Sequence, residues 1–437
     1  MSAPAAAPRA ERGGERLAFM VRALRYRNYR LFFGGQIVSL AGNWMTSIAT
    51  SWLVYRLTGS AWMLGVVTFA GQVPSFVLGP FSGMVVDRVD KHRALVATQT
   101  LAMAQSFALA AMTLSGRATI AGLITLNALD GIITAFDMPL RQSFVVEMIE
   151  RKEDLGNAIA LNSSMVNAAR LVGPTLGGIV IAWAGEGWCF FLDGASFLAV
   201  IAALLAMSVR RSAPRPPRED GALAEMREGW SYVAGLAPMR RIIGLLALVS
   251  LVGAPYSTLM PVFAGGVLKG GPHTLGLLMA ASGAGALLGA VWLAARRSVL
   301  GLGAVIPAAA AAFGAGLIGF ALSRALWLSC ACLLVGGAGL MVQIASSNTI
   351  VQTIVDDDKR GRVMSFFMMA FLGTAPFGSL LAGSLAQRFG APATLLLGGA
   401  GCILGAAVFA LGLRELRAAI RPIYRRIGIL PALPDPA

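Results

Sequence analysis

Residues 61–93 read AWMLGVVTFAGQVPSFVLGPFSGMVVDRVDKHR, and this stretch decides the class of fold. No charged residue occurs from Ala61 to Val86, whereas acidic and basic side chains dominate residues 87–93. A helix of about 20 apolar residues crosses the hydrocarbon core of a bilayer. The stretch therefore predicts a membrane-spanning helix that ends in a charged loop.

The same alternation of apolar segments and polar loops runs along the whole chain of 437 residues. Hydrophobic residues make up 57% of it and charged residues only 13%, and the mean hydropathy is +0.71. A soluble protein carries about 25% charged residues, so we exclude a soluble fold. The twelve predicted spans lie near residues 31–55, 61–86, 94–115, 119–141, 158–183, 187–208, 242–264, 275–295, 300–322, 325–350, 363–387 and 392–413.

The net charge of +15 reports membrane topology. Most of the 36 Lys and Arg residues lie in alternate loops and in the two terminal segments. Basic loops remain on the cytoplasmic side of a membrane, so we expect both termini to be cytoplasmic, and no nucleic-acid partner is needed to explain the charge. The opposite loops contain only Arg56, Arg117, Lys269, Arg324 and Arg388.

One long polar linker divides the predicted spans into two sets of six. Its second part, residues 222–233, is amphipathic and is expected to lie along the membrane surface. Gly173-Pro174 in the fifth span and Pro376-Phe377-Gly378 in the eleventh suggest an internal repeat, as in transporters whose substrate site lies between two halves; chance similarity of Gly/Pro-rich helices is the alternative. The predicted parts are a cytoplasmic arm (1–29), a six-helix bundle (30–208), a cytoplasmic linker (209–241), a second six-helix bundle (242–413) and a cytoplasmic tail (414–437).

The charged loop after the second span is a candidate gate. A carboxylate at a helix end pairs readily with a neighbouring helix, and such a network can hold one conformation and release it in another. An ordinary charged turn is the alternative interpretation. The residues assigned to this cytoplasmic gate are Gly83, Asp87, Arg88, Lys91, Arg93, Asp137, Arg141, Arg360 and Arg362.

Charged residues within spans are costly and indicate function. Asp130 in the fourth span and Arg170 in the fifth fall at similar depths, since a helix rises about 1.5 Å per residue. We predict that they pair and that protonation of Asp130 breaks the pair, which would couple transport to protons. A permanent structural ion pair is the alternative. Asp193 in the sixth span is a further candidate for proton coupling.

Polar side chains form helical stripes in three spans of the first half and predict an aqueous cavity. The stripes are Gln36, Ser39, Asn43, Ser47 and Thr50 in the first span, Asn127, Asp130, Thr134, Asp137 and Arg141 in the fourth, and Ser163, Asn167 and Arg170 in the fifth. Because no acidic residue lies deep in the second half, we expect coupling to depend on the first half. A cavity lined by small, apolar and amide side chains favours amphipathic substrates. The predicted lining residues are Gln36, Asn43, Asn127, Asn162, Asn167, Gln343, Asn348 and Gln352.

Other classes of protein fit less well. The chain has two histidines, His92 and His273, both in loops, and no Walker-type phosphate loop, so neither an enzyme nor an ATP-driven pump is expected. The four cysteines lie in apolar spans without metal-binding spacing, and no cofactor or metal is expected. A membrane receptor or scaffold would not need buried polar stripes or a gate.

These motifs resemble those of a known superfamily. The loop from Gly83 to Arg93 is similar to the signature loop of the major facilitator superfamily, although Asp90 stands where that superfamily more often has Gly. Gly173, Pro174, Gly177 and Gly178 resemble the fifth-helix motif of its proton-coupled exporters. Residues 135–143, 157–163 and 360–363 resemble its bacterial exporter branch, which includes the enterobactin exporter and the transmembrane secretion effector family.

The resemblance implies an all-α membrane fold of twelve helices and a secondary active transporter in the bacterial inner membrane. We expect a proton-coupled exporter, or antiporter, that moves a small amphipathic drug, siderophore or metabolite by alternating access. The expected partners are the substrate, protons and the lipid bilayer, and the protein is expected to be a monomer. An importer or symporter of a small solute, or a receptor that transports nothing, remains the alternative.

Overall fold

A computed structural model describes residues 21–86, 88–208, 230–296, 298–356, 359–427 and 429. Every regular element among these residues is helical. Asp87 of the predicted gate, most of the predicted arm and linker, residues 222–229 of the predicted amphipathic segment and the end of the tail lie outside the described residues.

Six long helices form the first half of the molecule. A short 3-10 turn, Arg22–Arg25, precedes them. Five of their twelve ends lie three to six residues beyond the predicted apolar spans, whereas the second helix matches its prediction and the sixth ends three residues short of it. The helices are α1 (Arg27–Thr58), α2 (Ala61–Val86), α3 (Lys91–Leu114), α4 (Ile120–Glu147), α5 (Lys152–Ala184) and α6 (Glu186–Leu205).

Six more long helices form the second half, and a shorter one follows them. Two of the six contain a five-residue π segment, Phe263–Val267 and Met369–Gly373, and π segments are frequent where helices carry function. The helices are α7 (Ala237–Val267), α8 (Pro272–Ala294), α9 (Leu302–Leu322), α10 (Leu326–Ile354), α11 (Arg360–Phe389), α12 (Ala391–Leu411) and α13 (Leu413–Arg426).

Among the described residues, 11 helices are long and apolar enough to cross a membrane. The long helix α1 is not one of them, although it occupies the place of the first predicted span. Its polar stripe, which includes Gln36, Ser39 and Asn43, lowers its mean hydropathy. The sequence feature that predicted a cavity therefore also weakens the membrane signal of this helix.

The connections between helices define two ends of the molecule. The tight-loop end contains residues 59–60, 115–119, 185, 268–271, 323–325 and 390. The basic end contains the described residues 88–90, 148–151, 295–296, 298–301, 355–356 and 359. Single glycines at positive φ, Gly185 (φ 89°) and Gly390 (φ 85°), make the α5–α6 and α11–α12 turns, a conformation that a side chain would strain.

The two halves contact one another along two seams, one between α2 and α11 and the other between α5 and α8. In the first seam, a Cβ added to Gly65 would lie 2.7 Å from the Ser379 carbonyl oxygen. In the second, a Cβ added to Gly178 would lie 2.9 Å from the Pro272 carbonyl oxygen. The backbones therefore touch directly, which only glycine permits.

Each half has an aspartate at its basic end that binds the segment preceding its first helix. In the first half, Asp154 at the start of α5 accepts a hydrogen bond from Tyr26 (2.6 Å) and pairs with Arg22 (3.0 Å) and Arg25. We call this group the Asp154 clamp. It joins the N-terminal segment to α5, the helix that forms one seam.

The second half repeats this arrangement. Asp356, just before α11, accepts a hydrogen bond from Tyr232 (2.9 Å) and pairs with Arg426 of α13 (2.8 Å). We call this group the Asp356 clamp. The tyrosine bond raises the stability of the carboxylate form and, with Arg426, holds the pKa of Asp356 below its usual value. The paired clamps support the internal repeat that the glycine and proline positions indicate.

Candidate functional site: the interior of the first half

One face of α4 points into the first half. Arg141 on this face reaches Gln36 of α1 (2.7 Å), and Asp137 accepts hydrogen bonds from α3. On the opposite face, Leu129 and Ile132 are exposed, as expected for side chains in contact with lipid. The predicted stripe of α4 is therefore the inward face of the helix.

Asp130 lies on this inward face near the middle of α4. Its side chain is exposed, although the face points toward the other helices. Among the described residues it has no hydrogen-bond or ion-pair partner. An accessible carboxylate on an inward face requires a water-filled space, because an ion in contact with hydrocarbon alone would be too costly. The arrangement allows Asp130 to exchange protons with water.

Arg170 occupies the corresponding position on α5. Its guanidinium carbon lies 5.3 Å from the centre of the Trp44 ring of α1, within range of a cation–π interaction. Placing a cation at the bilayer centre costs about 2.5–3.5 kcal/mol on the translocon insertion scale, and a cation–π contact returns about 0.5–2 kcal/mol. The contact with Trp44 therefore offsets only part of the cost.

The predicted Asp130–Arg170 pair is not formed in this structure. No ion pair joins the two residues, which are both described, because Arg170 is turned toward Trp44 on α1 instead of α4. The depth argument placed both residues near the middle of their helices but could not give the direction of either side chain. Each of the two charges is thus accessible to a partner that the described part of the chain does not supply.

Deeper toward the basic end, Asp137 and Arg141 form a buried polar network. They pair with each other, Thr98 and Gln99 of α3 donate to Asp137 (2.8 and 2.7 Å), and Gln36 of α1 accepts from Arg141. The network joins α1, α3 and α4. The side chain of Gln36 is fully buried in it, so Gln36 serves packing here and does not line an open cavity.

The loop residues of the predicted gate pair within the first half. Lys91 binds Glu147 of α4 (2.6 Å), and the main-chain amide of Arg93 donates to Asp90, which caps α3. Gly83 and Arg88 are exposed at the end of α2. In the second half Arg360 is exposed and Arg362 half-buried, both at the start of α11, and each takes part in a polar or electrostatic contact.

The fifth-helix motif packs helices together. Gly173 contacts Trp44 and the Ala41 carbonyl of α1, and Gly177 contacts Met45 and Ile48 of the same helix. Gly178 instead faces α8, and Pro174 lies inside the unbroken helix α5. The motif therefore places α5 between α1 and the second half.

Asp193 is buried among α1, α3 and α6. Its Oδ2 accepts hydrogen bonds from Ser106 (2.8 Å) and Thr46 (3.0 Å), and its Oδ1 has no hydrogen-bond partner among the described residues. Gly42 of α1 approaches this carboxyl so closely that a Cβ would lie 2.6 Å from Oδ1. Asp193 is 2% exposed, so it differs from Asp130 in having no direct access to a cavity.

The predicted cavity amides of the first half are half-buried. Asn127 and Asn167 use their amide groups to donate to the carbonyls of Leu123 (2.8 Å) and Ser163 (2.9 Å) one turn earlier. Asn43 lies two turns from Gln36 on the same side of α1. Asn162 lies on α5, next to Ser163 in the sequence.

The second half offers fewer accessible polar groups. Gln343 is fully buried, with its Nε2 3.5 Å from Ser347, so it does not line an accessible space in this conformation. Gln352 is exposed and donates to Asn348 (3.0 Å), and this pair lies toward the basic end of α10.

The structure also identifies residues that the sequence did not suggest. Trp44 contacts Arg170, and the Tyr256 hydroxyl of α7 lies within electrostatic reach of Arg170 and 2.6 Å from Ser282 of α8. The backbone of Gly283 packs against the Arg170 carbonyl, since a Cβ there would lie 3.2 Å from it. The run of small residues in α8 was the one sequence signal for the contact between Gly283 and the Arg170 backbone. Trp44 and Tyr256 gave no such signal, because aromatic residues at helical spacing usually pack in a core.

Solved transporter structures share this architecture. A bacterial homologue of the human lysosomal transporter Spinster, in an inward-facing and unoccupied conformation, aligns with a TM-score of 0.69 at 15% identity, covering 90% of this chain and 98% of that one. A mutant of the peptide transporter POT aligns with a TM-score of 0.71 at 11% identity, covering 90% and 95%. These similarities support the major facilitator fold.

Curated relatives share more of the sequence. The staphyloferrin A transporter of Staphylococcus aureus is 27% identical, covering 89% of this chain and 97% of the relative. The multidrug efflux pump Tap of Mycolicibacterium fortuitum is 29% identical, covering 87% and 95%. Macrolide efflux protein A of Streptococcus pyogenes is 22% identical, covering 86% and 94%.

A profile of the transmembrane secretion effector family matches residues 20–423, nearly all of the described helices. The match agrees with the motifs in α2, α5 and α11 and with the helical plan of two halves joined at glycine seams. The chain is a multi-pass membrane protein and belongs to the transmembrane secretion effector family of the major facilitator superfamily.

Proposed function

We propose that this protein is a proton-coupled exporter of a small amphipathic molecule and that it works by alternating access. In this proposal twelve helices, including α1, cross the bacterial inner membrane, and both termini are cytoplasmic. The basic end is then the cytoplasmic end. The two six-helix halves rock about the substrate and expose it to each side in turn.

The position of Asp130 is the observation that supports coupling of transport to protons. It is accessible, it lies near the middle of α4 on the inward face, and it has no partner among the described residues. A carboxylate in such a place can bind a proton when the cavity faces one side and release it when the cavity faces the other. Asp193 is a second candidate, but its proton would have to pass between packed helices.

The direction of transport is inferred from the relatives. The multidrug efflux pump Tap and macrolide efflux protein A are efflux proteins by name, and the family is one of secretion effectors. The half-buried amides of α4 and α5 and the Trp44 ring beside Arg170 suit an amphipathic substrate, whose apolar part avoids water while its polar part is hydrogen-bonded.

The seams suggest which state is represented. Gly65, Gly178 and their partners lie toward the tight-loop end, where Ser60 also donates to Gln387 across the halves (2.9 Å). Contact there closes the periplasmic side in the proposed topology. We therefore take this conformation to be open toward the cytoplasm. In this state the protein would bind substrate from the cytoplasm and release a proton to it.

The test compares active export with passive exchange. Wild type and Asp130→Asn, purified and placed in proteoliposomes, are assayed with a radiolabelled macrolide drug for proton-gradient-driven transport and for gradient-free exchange of labelled for unlabelled drug. Coupling through Asp130 predicts that the variant loses gradient-driven transport and keeps exchange. Asp130→Glu, which preserves the titrating group, is the matched control and should keep both.

Other outcomes decide against parts of the proposal. Loss of exchange as well as active transport would make Asp130 a binding or structural residue. Retention of both gradient-driven transport and exchange would mean that a residue other than Asp130 couples transport to protons, and Asp193 would be the next candidate. Transport of the drug in the opposite direction under the same gradient would favour an importer.

A further inference from the structure

We infer that Arg170 is an anion-binding residue and that the exported molecule carries a carboxylate or similar anionic group that binds its guanidinium. The inference rests on the proposed transport function and specifies the class of its substrate. It replaces the pairing of Arg170 with Asp130 that the sequence predicted.

The environment of Arg170 lacks an anion. Among the described residues the guanidinium has no ion-pair or hydrogen-bond partner, and its carbon lies 5.3 Å from the centre of the Trp44 ring. An aromatic ring interacts with the face of the cation and leaves the N–H donors at its edge unused. Five donors in a planar fork match a carboxylate or phosphate group in two-point contact.

The position of Arg170 is suited to substrate. Gly173 and Gly177, on neighbouring turns of α5, pack on α1, while the Arg170 backbone packs on Gly283 of α8. The guanidinium thus lies close to the junction of the two halves, within electrostatic reach of Tyr256 on α7. A ligand bound here would touch both halves, as alternating access requires.

A purely structural arginine would be arranged differently. The half-buried Arg141 shows how this chain stabilises a guanidinium inside a span, with a carboxylate and an amide as acceptors. Arg170 is half-buried too, and among the described residues it has neither acceptor. An anion that arrives with the substrate would supply the missing acceptor and would leave with it.

The charges of the site then have separate tasks. Asp130 carries the proton, and Arg170 holds the anionic group of the substrate. Because Asp130 is not engaged by Arg170, a substrate anion does not have to displace it. The apolar part of the substrate would lie against the small and amide side chains of α1, α4 and α5.

Binding to the full chain in nanodiscs tests this inference. The probes are 11-(dansylamino)undecanoate and its primary amide, which differ in charge alone, and their fluorescence is titrated against wild type, Arg170→Gln, Arg170→Lys and Arg388→Gln. Empty nanodiscs give the background from partition into lipid. Arg388 is exposed at the tight-loop end of α11, so its replacement controls for general loss of charge.

We expect wild type and Arg388→Gln to bind the acid about tenfold or more tightly than the amide, the size of a charge-assisted hydrogen-bond contact. Arg170→Gln should lose this preference while its affinity for the amide is unchanged, and Arg170→Lys should keep part of it. Equal ratios in wild type and Arg170→Gln, or no binding of the acid to wild type, would overturn the inference.

The result can be separated from failure of the proposed function. Proton-driven transport by wild type of the macrolide, which carries no anionic group, tests export without reference to an anion. If that transport is present and the acid has no advantage, the exporter proposal stands and the anion site is wrong. If Arg170→Gln does not give a monodisperse protein, the comparison relies on Arg170→Lys, for which an unchanged ratio of acid to amide contradicts the inference.

Discussion

The spans of the first half contain Asp130, Asp137, Arg141, Arg170 and Asp193, whereas the spans of the second half have hydroxyls and amides such as Ser347 and Gln343 in their interior. Aromatic contacts occur in both halves, for example Phe107 on Phe191 in the first and Phe263 on Phe320, with ring centres 4.5 Å apart, in the second. Both halves nevertheless share the helix plan, the glycine turn before the sixth helix and the aspartate clamp.

This difference indicates a division of labour. Charges inside a membrane protein cost free energy and are kept where they perform a task. In the proposed function, the first half supplies the chemistry of proton and substrate binding, and the second half supplies a packed surface against which the first half moves. Four sets of substitutions, taken in order of expected effect, test this proposed division.

The largest effect is expected from the buried network of the first half. Arg141→Gln leaves Asp137 as a buried carboxylate without its cation, and breaking such a pair costs about 3–5 kcal/mol. Thermal unfolding in detergent should show a large fall in Tm. Gln343→Leu in the second half is the matched change, and we expect it to be nearly neutral because it removes a buried amide oxygen that has no partner among the described residues.

The double variant Asp137→Asn/Arg141→Gln should recover part of the lost stability, because it leaves no unpaired charge. If Gln343→Leu lowered Tm as much as Arg141→Gln, the distinction between the two interiors would be wrong.

The next effect concerns the seam that the halves share. Gly178→Ala places a Cβ 2.9 Å from the Pro272 carbonyl, and overpacking of this kind costs about 1–3 kcal/mol. In the proposed cycle this contact exists only while the tight-loop end is closed, so the cost should shift the conformational equilibrium away from the closed state and slow transport. Labelling of a cysteine introduced at the tight-loop end should therefore increase.

Gly156→Ala is the control for the seam, since no atom lies within 4 Å of its Cβ position. Equal transport and labelling in the two alanine variants would mean that the α5–α8 seam is not a moving contact.

A smaller effect is expected for the second buried carboxyl of the first half. In Asp193→Asn the amide oxygen can still accept the hydrogen bonds of Thr46 and Ser106, so we expect a change in stability within about 1 kcal/mol. Proton-driven transport should continue, in contrast to Asp130→Asn. If Asp193→Asn lost proton-driven transport but kept gradient-free exchange, Asp193 would instead be the coupling residue.

The smallest effects are expected at the clamps. The pKa of Asp356 is held low in the folded state, so the Asp356 clamp contributes stability above the ordinary aspartate pKa and loses it as the pH falls through the lowered value. Tyr232→Phe should weaken this dependence only slightly, because the group is exposed. Tm measured from pH 7 to pH 3 checks the prediction.

Tyr26→Phe makes the same change in the Asp154 clamp, where the carboxylate is buried. We expect a larger fall in Tm than for Tyr232→Phe. The reverse order would mean that the N-terminal segment is bound mainly by contacts other than the clamp.

Much of this fold follows from the sequence because hydropathy and charge placement act over whole segments. Eleven of the predicted spans and the inward face of α4 follow from composition and helical periodicity. The α1 helix is the instructive exception, since its inward polar stripe reduces the hydropathy that identifies a span.

The site was less predictable, because side-chain direction depends on neighbouring helices. Asp137 and Arg141 are one turn apart, so their contact follows from spacing. Asp130 and Arg170 are on different helices, and similar depth did not determine that Arg170 would turn toward Trp44. The burial of Gln36 and Gln343 likewise depends on packing that periodicity does not describe.

Backbone-to-backbone contact at Gly65 and Gly178 has a consequence for the speed of transport. At these two glycine contacts the helices can separate without a change of rotamer, whereas Phe377 of α11 also packs edge-on against Phe69 and Phe76 of α2 in the first seam. At the glycine contacts the energy barrier to opening then arises mainly from wetting the newly exposed gap. Solutes that alter the activity of water, such as sucrose, should therefore slow turnover of this protein more than they slow carriers whose halves are closed by interdigitated side chains alone.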